Sequence, residues 1–112
     1  MEQTLPKKFI AQVDAIVSAK LSDESFSIEE LSNLLHLSNS QVFRKIKTKT
    51  GLSPSCYIRK KRLEESHQLI VGTNHSITKV AYMVGFNCNT YFSTCFSEFY
   101  GYAPSHLRKH IL

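Results

Sequence analysis

Residues 42–51 read VFRKIKTKTG, in which four cations, Arg44, Lys45, Lys47 and Lys49, fall within six consecutive positions with no acid among them. Crowded like charges repel, and a polyanionic partner relieves the repulsion. The residue types suit such a partner. A guanidinium is a planar fork that grips a phosphate or the paired acceptors of guanine, and an ammonium is a compact point charge for phosphate. A second run, R59-K60-K61-R62, follows in the same third of the chain. The chemistry on offer is recognition rather than bond making. The sequence sets no nucleophile beside a base with an orienting acid, and it has no Gly-rich phosphate loop, so an enzyme is not expected and no cofactor is implied.

The net charge of +5 understates how concentrated the cations are. Residues 1–30 carry six acids against three bases, residues 31–63 carry eight bases and no acid, and residues 64–112 carry three of each. A chain of 112 residues with 42% apolar residues suffices for one domain, or for two small helical subdomains on a shared scaffold, and excludes a large enzyme with a deep cleft. No apolar run nears the roughly 20 residues needed to span a bilayer, and MEQTLPKKFIAQ lacks the apolar stretch of a secretion signal. A soluble, cytoplasmic protein with no membrane partner is expected. Cys56, Cys88 and Cys95 form an odd set without a C-x-x-C pair and read as reduced, small apolar residues.

The elements that must position the cations are short helices separated by tight turns. In F26-S27-I28-E29-E30-L31, Ser27 stands as an N-cap with Glu30 at the capping-box position and with Phe26 and Leu31 placed as a hydrophobic staple. L37-S38-N39-S40-Q41-V42 repeats that logic with Ser38 and Gln41. Only about two turns of helix, residues 28–35, fit between these starts before the chain must reverse. Gly51 closes the second helix, and Pro54 opens a long one that stops at Gly72. Ahead of them, Phe9, Val13, Ile16, Val17 and Leu21 stripe residues 6–21. No alternating period long enough for a strand is present.

The pattern is written twice. Ser27–Leu37 matches Ser76–Phe86 at an offset of 49, and Val42, Ile46, Gly51 and Pro54 then match Phe92, Phe96, Gly101 and Pro104 at an offset of 50, so the second copy's turn holds one extra residue. In the turn, His36 stands where the second copy has Gly85, at a position that calls for positive φ. Each copy reads as a helix-turn-helix. At about 100° per residue, Val42 and Ile46 share one face of the second helix with Phe43 at its edge. Ser40, Arg44 and Lys47 line the opposite face, flanked by Gln41 and Thr48. A capped helix with that polar face has the parts to enter a DNA major groove, where Arg44 can address guanine and the small Ser40 allows close approach.

With these residues in view, the chain resembles the DNA-binding domain of the AraC/XylS family of bacterial transcription regulators over roughly residues 27–109. The resemblance rests on A81-Y82-M83-V84-G85-F86, Y91-F92-S93, F96, G101 and P104-S105 in the second copy, and on F43-R44-K45-I46-K47, T50-G51, Y57-I58-R59 and R62-L63 in the first. It implies an all-α fold of about seven helices, with two helix-turn-helix subdomains (1–52 and 73–112) joined by a long central linker helix (53–72). It further implies sequence-specific binding of double-stranded DNA, with helix 39–50 reading one major groove and helix 89–100 the next. An 18-residue linker helix is about 27 Å long, which suits reading helices roughly 34 Å apart. Expected base contacts are Ser40, Gln41, Arg44, Asn89, Thr90 and Thr94. Expected phosphate contacts are Ser38, Lys45, Lys47, Lys49, Arg59, Lys60, Lys61 and Arg62.

The second copy departs from the basic pattern, because Thr94, Cys95, Ser97 and Phe99 stand where the first has its four cations, and Glu98 lies beside the outward row. Residues 38–62 are therefore expected to supply most of the affinity and specificity. Phe92 and Phe96 fall on the face that Val42 and Ile46 occupy and read as core rather than as base-stacking groups, whereas Tyr91 is left open. His106 and His110 have zinc-compatible spacing, but no third or fourth ligand follows, so no metal is expected. Two other classes remain: a nonspecific nucleic-acid binder, and a protein-interaction module whose acidic first 30 residues contact RNA polymerase or a neighbouring domain. Proteins of the resembled family carry an N-terminal sensor or effector module, so the chain is read as a possible part of a longer regulator.

Overall fold

The computed structural model describes residues 5–110, with side chains from Lys8 onward. The first four residues of the stretch read for a secretion signal lie outside it. Among the described residues there are seven helices and no strand: α1 (Leu5–Lys20), α2 (Ile28–Leu35), α3 (Asn39–Thr50), α4 (Pro54–Gly72), α5 (Ile77–Met83), α6 (Asn89–Tyr100) and α7 (Pro104–His110). None is long and apolar enough to cross a membrane.

The chain forms two compact units, one made of α1 with Ser25–Arg59 and the other of Leu21–Glu24 with the chain from Lys60 onward. The long central helix α4 is shared between them. Its first turns belong to the first unit and the rest to the second.

In the first unit α1 packs on α2 and α3, and α2 on α3. Their shared interior holds Val13 and Val17 from α1, Phe26 and Leu31 around α2, Val42 and Ile46 from α3, and Tyr57 and Ile58 from α4. The Tyr57 hydroxyl donates to Asp14 Oδ1 at 2.6 Å, fixing α4 against α1 without leaving a buried polar group unpaired. Helix α3 begins with the expected capping box: Ser38 Oγ accepts from the Gln41 N–H at 3.2 Å, and Gln41 Oε1 accepts from the Ser38 N–H at 3.0 Å. Helix α2 departs from expectation. Ser27 holds the N-cap position with no side-chain cap bond, and Glu30 instead pairs with Lys20 Nζ at 2.8 Å. The tertiary partner takes the carboxylate that would have closed the box.

In the second unit α5 packs on α6, and α6 on α7. The core gathers Leu63 and Ile70 of α4 with Val80, Ala81, Val84, Phe86, Phe92, Cys95 and Phe96. Phe86 meets Phe92 nearly edge-on at 5.2 Å, and Phe92 meets Phe96 at 5.7 Å, both within the range where ring pairs attract. The Arg108 Nε–H donates to the Ile70 carbonyl at 2.9 Å and ties α7 to α4. Burial raises the Tyr100 phenol to about 12, with Glu64 and Tyr102 adding to the shift.

The repeat in the sequence is a repeat in burial. Val42 and Ile46 in the first copy, and Phe92 and Phe96 in the second, are all fully buried, so Phe92 and Phe96 are core. The caps differ. Helix α6 starts from Cys88, whose side chain makes no cap bond, where α3 has Ser38. A hydroxyl there could accept from a free N–H of the first turn. Cys88→Ser is accordingly expected to stabilise the second unit by about 1 kcal/mol. Thermal unfolding reads this as a higher midpoint, and equal midpoints would count against it.

Candidate nucleic-acid interface

The capping box holds the start of α3 rigid, and burial of Val42 and Ile46 fixes the rotation of the helix. Ser40, Arg44, Lys47 and Thr48 are all exposed on the face away from that core. Arg44 has no hydrogen bond or ion pair among the described residues, so its guanidinium can turn outward with all five donors unspent. Ser40 lies about one turn before Arg44 and Lys47 about one turn after it, which gives a continuous polar row along the helix.

The other expected contacts sort into grades. Lys45 and Lys49 are exposed but point about 100° and 140° away from Arg44 around the helix, and Lys45 Nζ lies 5.6 Å from the Phe9 ring centroid of α1. They flank the reading face rather than share it. Gln41 spends Oε1 on the cap and keeps its NH₂ as the donor it can present. The exposed Ser38 hydroxyl accepts from the Gln41 N–H and donates to Gln41 Oε1 at 3.2 Å, so the cap competes with a phosphate for its proton.

At the start of α4, the Arg59 guanidinium reaches Cys56 Sγ at 3.4 Å. The Cys56 thiol is held below its ordinary value, chiefly by a hydrogen bond with Ser53 and then by the charges of Arg59 and Lys47, against an opposing burial effect. Lys60 and Lys61 lie 3.5 and 3.8 Å from the Glu64 carboxylate, which partly neutralises both.

Arg62 is a correction. It is 7% exposed, and its guanidinium donates to the Val84 carbonyl at 3.2 Å and the Asp23 carbonyl at 3.0 Å. Burial pulls it below the usual guanidinium value while the Asp23 charge opposes the shift. It clamps the turn between α5 and α6 and is not available to phosphate. The signal was present: positions 62, 66 and 70 recur every fourth residue, and Ser66 and Ile70 are buried on the same row of α4.

The face of α6 is poorer. Thr90 is exposed, but the Thr94 hydroxyl donates back to the Thr90 carbonyl at 3.1 Å, and the half-buried Asn89 turns its Oδ1 inward, where it has no partner. Glu98 is exposed close by, and Tyr91, also exposed, keeps a ring contact with Phe86 at 5.9 Å. The rings of His106 and His110 meet at a tilt with centroids 4.2 Å apart, and no cluster of three or more metal-ligating side chains occurs among the described residues.

These features match known proteins over most of the chain. A family model described as a helix-turn-helix domain matches residues 31–110. The transcriptional activator RhaS of Mannheimia succiniciproducens is 40% identical over 80 residues, covering 71% of this chain and 30% of the relative. Histidine kinase P4 of Formosa agariphila is 34% identical over 104 residues, covering 93% of this chain and 7% of the relative. The chain thus spans less than a third of either curated relative. Among solved structures, the C-terminal domain of the two-component response regulator yesN from Fusobacterium nucleatum superposes with a TM-score of 0.82 at 27% identity, covering 90% of this chain and 98% of that one. The chain belongs to the AraC-type family of helix-turn-helix domains.

Proposed function

We propose that this chain binds double-stranded DNA sequence-specifically to regulate transcription, with α3 as the principal reading helix. The observation that carries this is the Ser40–Arg44–Lys47 face: exposed, uncommitted and basic, on a helix whose start and rotation are fixed by the cap and the core. Base readout needs a rigid helix presenting side chains with donors to spare. RhaS is named a transcriptional activator, and family membership favours the same class of work here.

Lys47, Lys49, Lys45 and Arg59 serve as phosphate contacts around that face, and Lys60 and Lys61 as weaker ones because Glu64 sits between them. Thr90, Asn89 and Thr94 add secondary contacts from α6. RNA polymerase and an N-terminal sensor or effector domain are further partners. The much greater length of the relatives and the response-regulator context of the yesN domain support that part of the reading. A cytoplasmic location goes with this reading.

Selection of preferred duplexes from a random pool tests the reading. An enriched site bound well above scrambled duplex is expected, whereas uniform binding would indicate a nonspecific polyanion binder. Lys47→Ala should weaken binding to all duplexes alike and reduce the slope of log K against log salt by about one counterion. A changed base preference with an unchanged slope would move Lys47 from the phosphates to the base edges.

A further inference from the structure

We propose that Phe43 is a base-reading residue that seats its ring against the C5-methyl group of a thymine, beside the base pair that Arg44 addresses. This rests on the reading that α3 enters the major groove. Phe43 is 48% exposed although its two neighbours in the helical pattern, Val42 and Ile46, are completely buried. It makes no ring contact among the described residues, unlike the aromatic side chains of the second unit's core. Its position gives the exposure a direction. Phe43 lies three residues after Ser40 and four before Lys47, so it occupies the border between the core face and the polar face, directly alongside the reading row.

An apolar ring held at that border costs free energy in water and gains where it meets apolar surface. The thymine methyl is the apolar group that the major-groove edge of a base pair presents, and phenylalanine is among the side chains that contact it. The charge around the ring selects this occupant over a protein one. Arg44 and Lys47 adjoin Phe43, and any surface covering the ring must also accommodate two cations. A groove does so with its own phosphates. An apolar protein surface would have to strip water from both charges without compensation.

The test replaces each thymine of the selected duplex, one at a time, with deoxyuridine, which deletes the methyl group and nothing else. Wild-type protein should lose roughly three- to ten-fold in affinity at one thymine. Phe43→Ala should bind the thymine and deoxyuridine duplexes equally, with an unchanged salt slope and thermal midpoint. Phe43→Leu, which keeps an apolar side chain, should retain part of the discrimination and guards against a folding artefact. The proposal is overturned if no thymine substitution weakens the wild type, if the selected site holds no thymine near the guanine that Arg44 requires, or if Phe43→Ala keeps the full penalty. In each of these cases, a preference that still depends on Arg44 leaves the groove reading standing. Loss of that dependence as well would remove the groove reading itself.

Discussion

Arg44→Ala is expected to cost about 1–3 kcal/mol of binding to the selected duplex, roughly five- to 150-fold in affinity, and to relax the preference at one base pair. The magnitude follows from the loss of a two-bond contact to guanine. The direction follows from the structure: Arg44 has no internal partner, so its removal leaves nothing unpaired in the free protein. The thermal midpoint should therefore stay where it is. Thr94→Ala provides the contrast. Its hydroxyl already donates to the Thr90 carbonyl, so little binding is lost when it goes. Titrations of both variants against the same duplex decide the matter, and equal losses would defeat the asymmetry between the two copies.

The second large effect is on folding. Gly85→Ala should destabilise the second unit by about 3–5 kcal/mol, for two reasons that add. Gly85 has φ +93°, a conformation costly for any residue with a Cβ, and an added Cβ would overlap the Arg62 guanidinium and the Leu21 carbonyl. The same guanidinium holds the carbonyls of Val84 and Asp23, so displacing it to make room for the Cβ would break the Arg62 clamp as well. Arg62→Leu should do comparable damage by orphaning the carbonyls of Val84 and Asp23. The equivalent turn residue in the first copy behaves oppositely. His36 adopts φ 58° while exposed, and His36→Gly should stabilise the first unit by up to about 1 kcal/mol. Chemical denaturation of the three variants reads all of this. A Gly85→Ala protein as stable as the parent would refute the packing described for the turn.

Much of this architecture is legible in the chain because its punctuation is local. Ser38 with Gln41, Gly51, Pro54 and the matched Gly101 and Pro104 each act on the backbone within a few residues, and the bounds of α3, the starts of α4 and α7 and the end of α6 follow from them. The repeat adds a second check, since Val42 and Ile46 predict the burial of Phe92 and Phe96. What local reasoning missed depends on distant partners. Glu30 is diverted from its cap by Lys20, and Arg62 is drawn inward by carbonyls 39 and 22 residues away in sequence. A run of four cations looks solvated, and its charge hides that one member lies on the buried row of α4. Ser38 and Gln41 each serve the cap and the outward face, and the cap's bonds compete with DNA for the hydroxyl of Ser38.

The central claim is that the outward face of α3, led by Arg44, meets base edges in the major groove. Dimethyl sulfate methylates guanine at N7, which lies in that groove, so protection of the selected duplex tests the claim directly. Bound wild-type protein should shield a particular guanine, and Arg44→Ala at saturating concentration should leave that guanine reactive. Complexes in which every guanine N7 stays reactive, or in which Arg44→Ala shields the same guanine as fully as the parent, would contradict the claim.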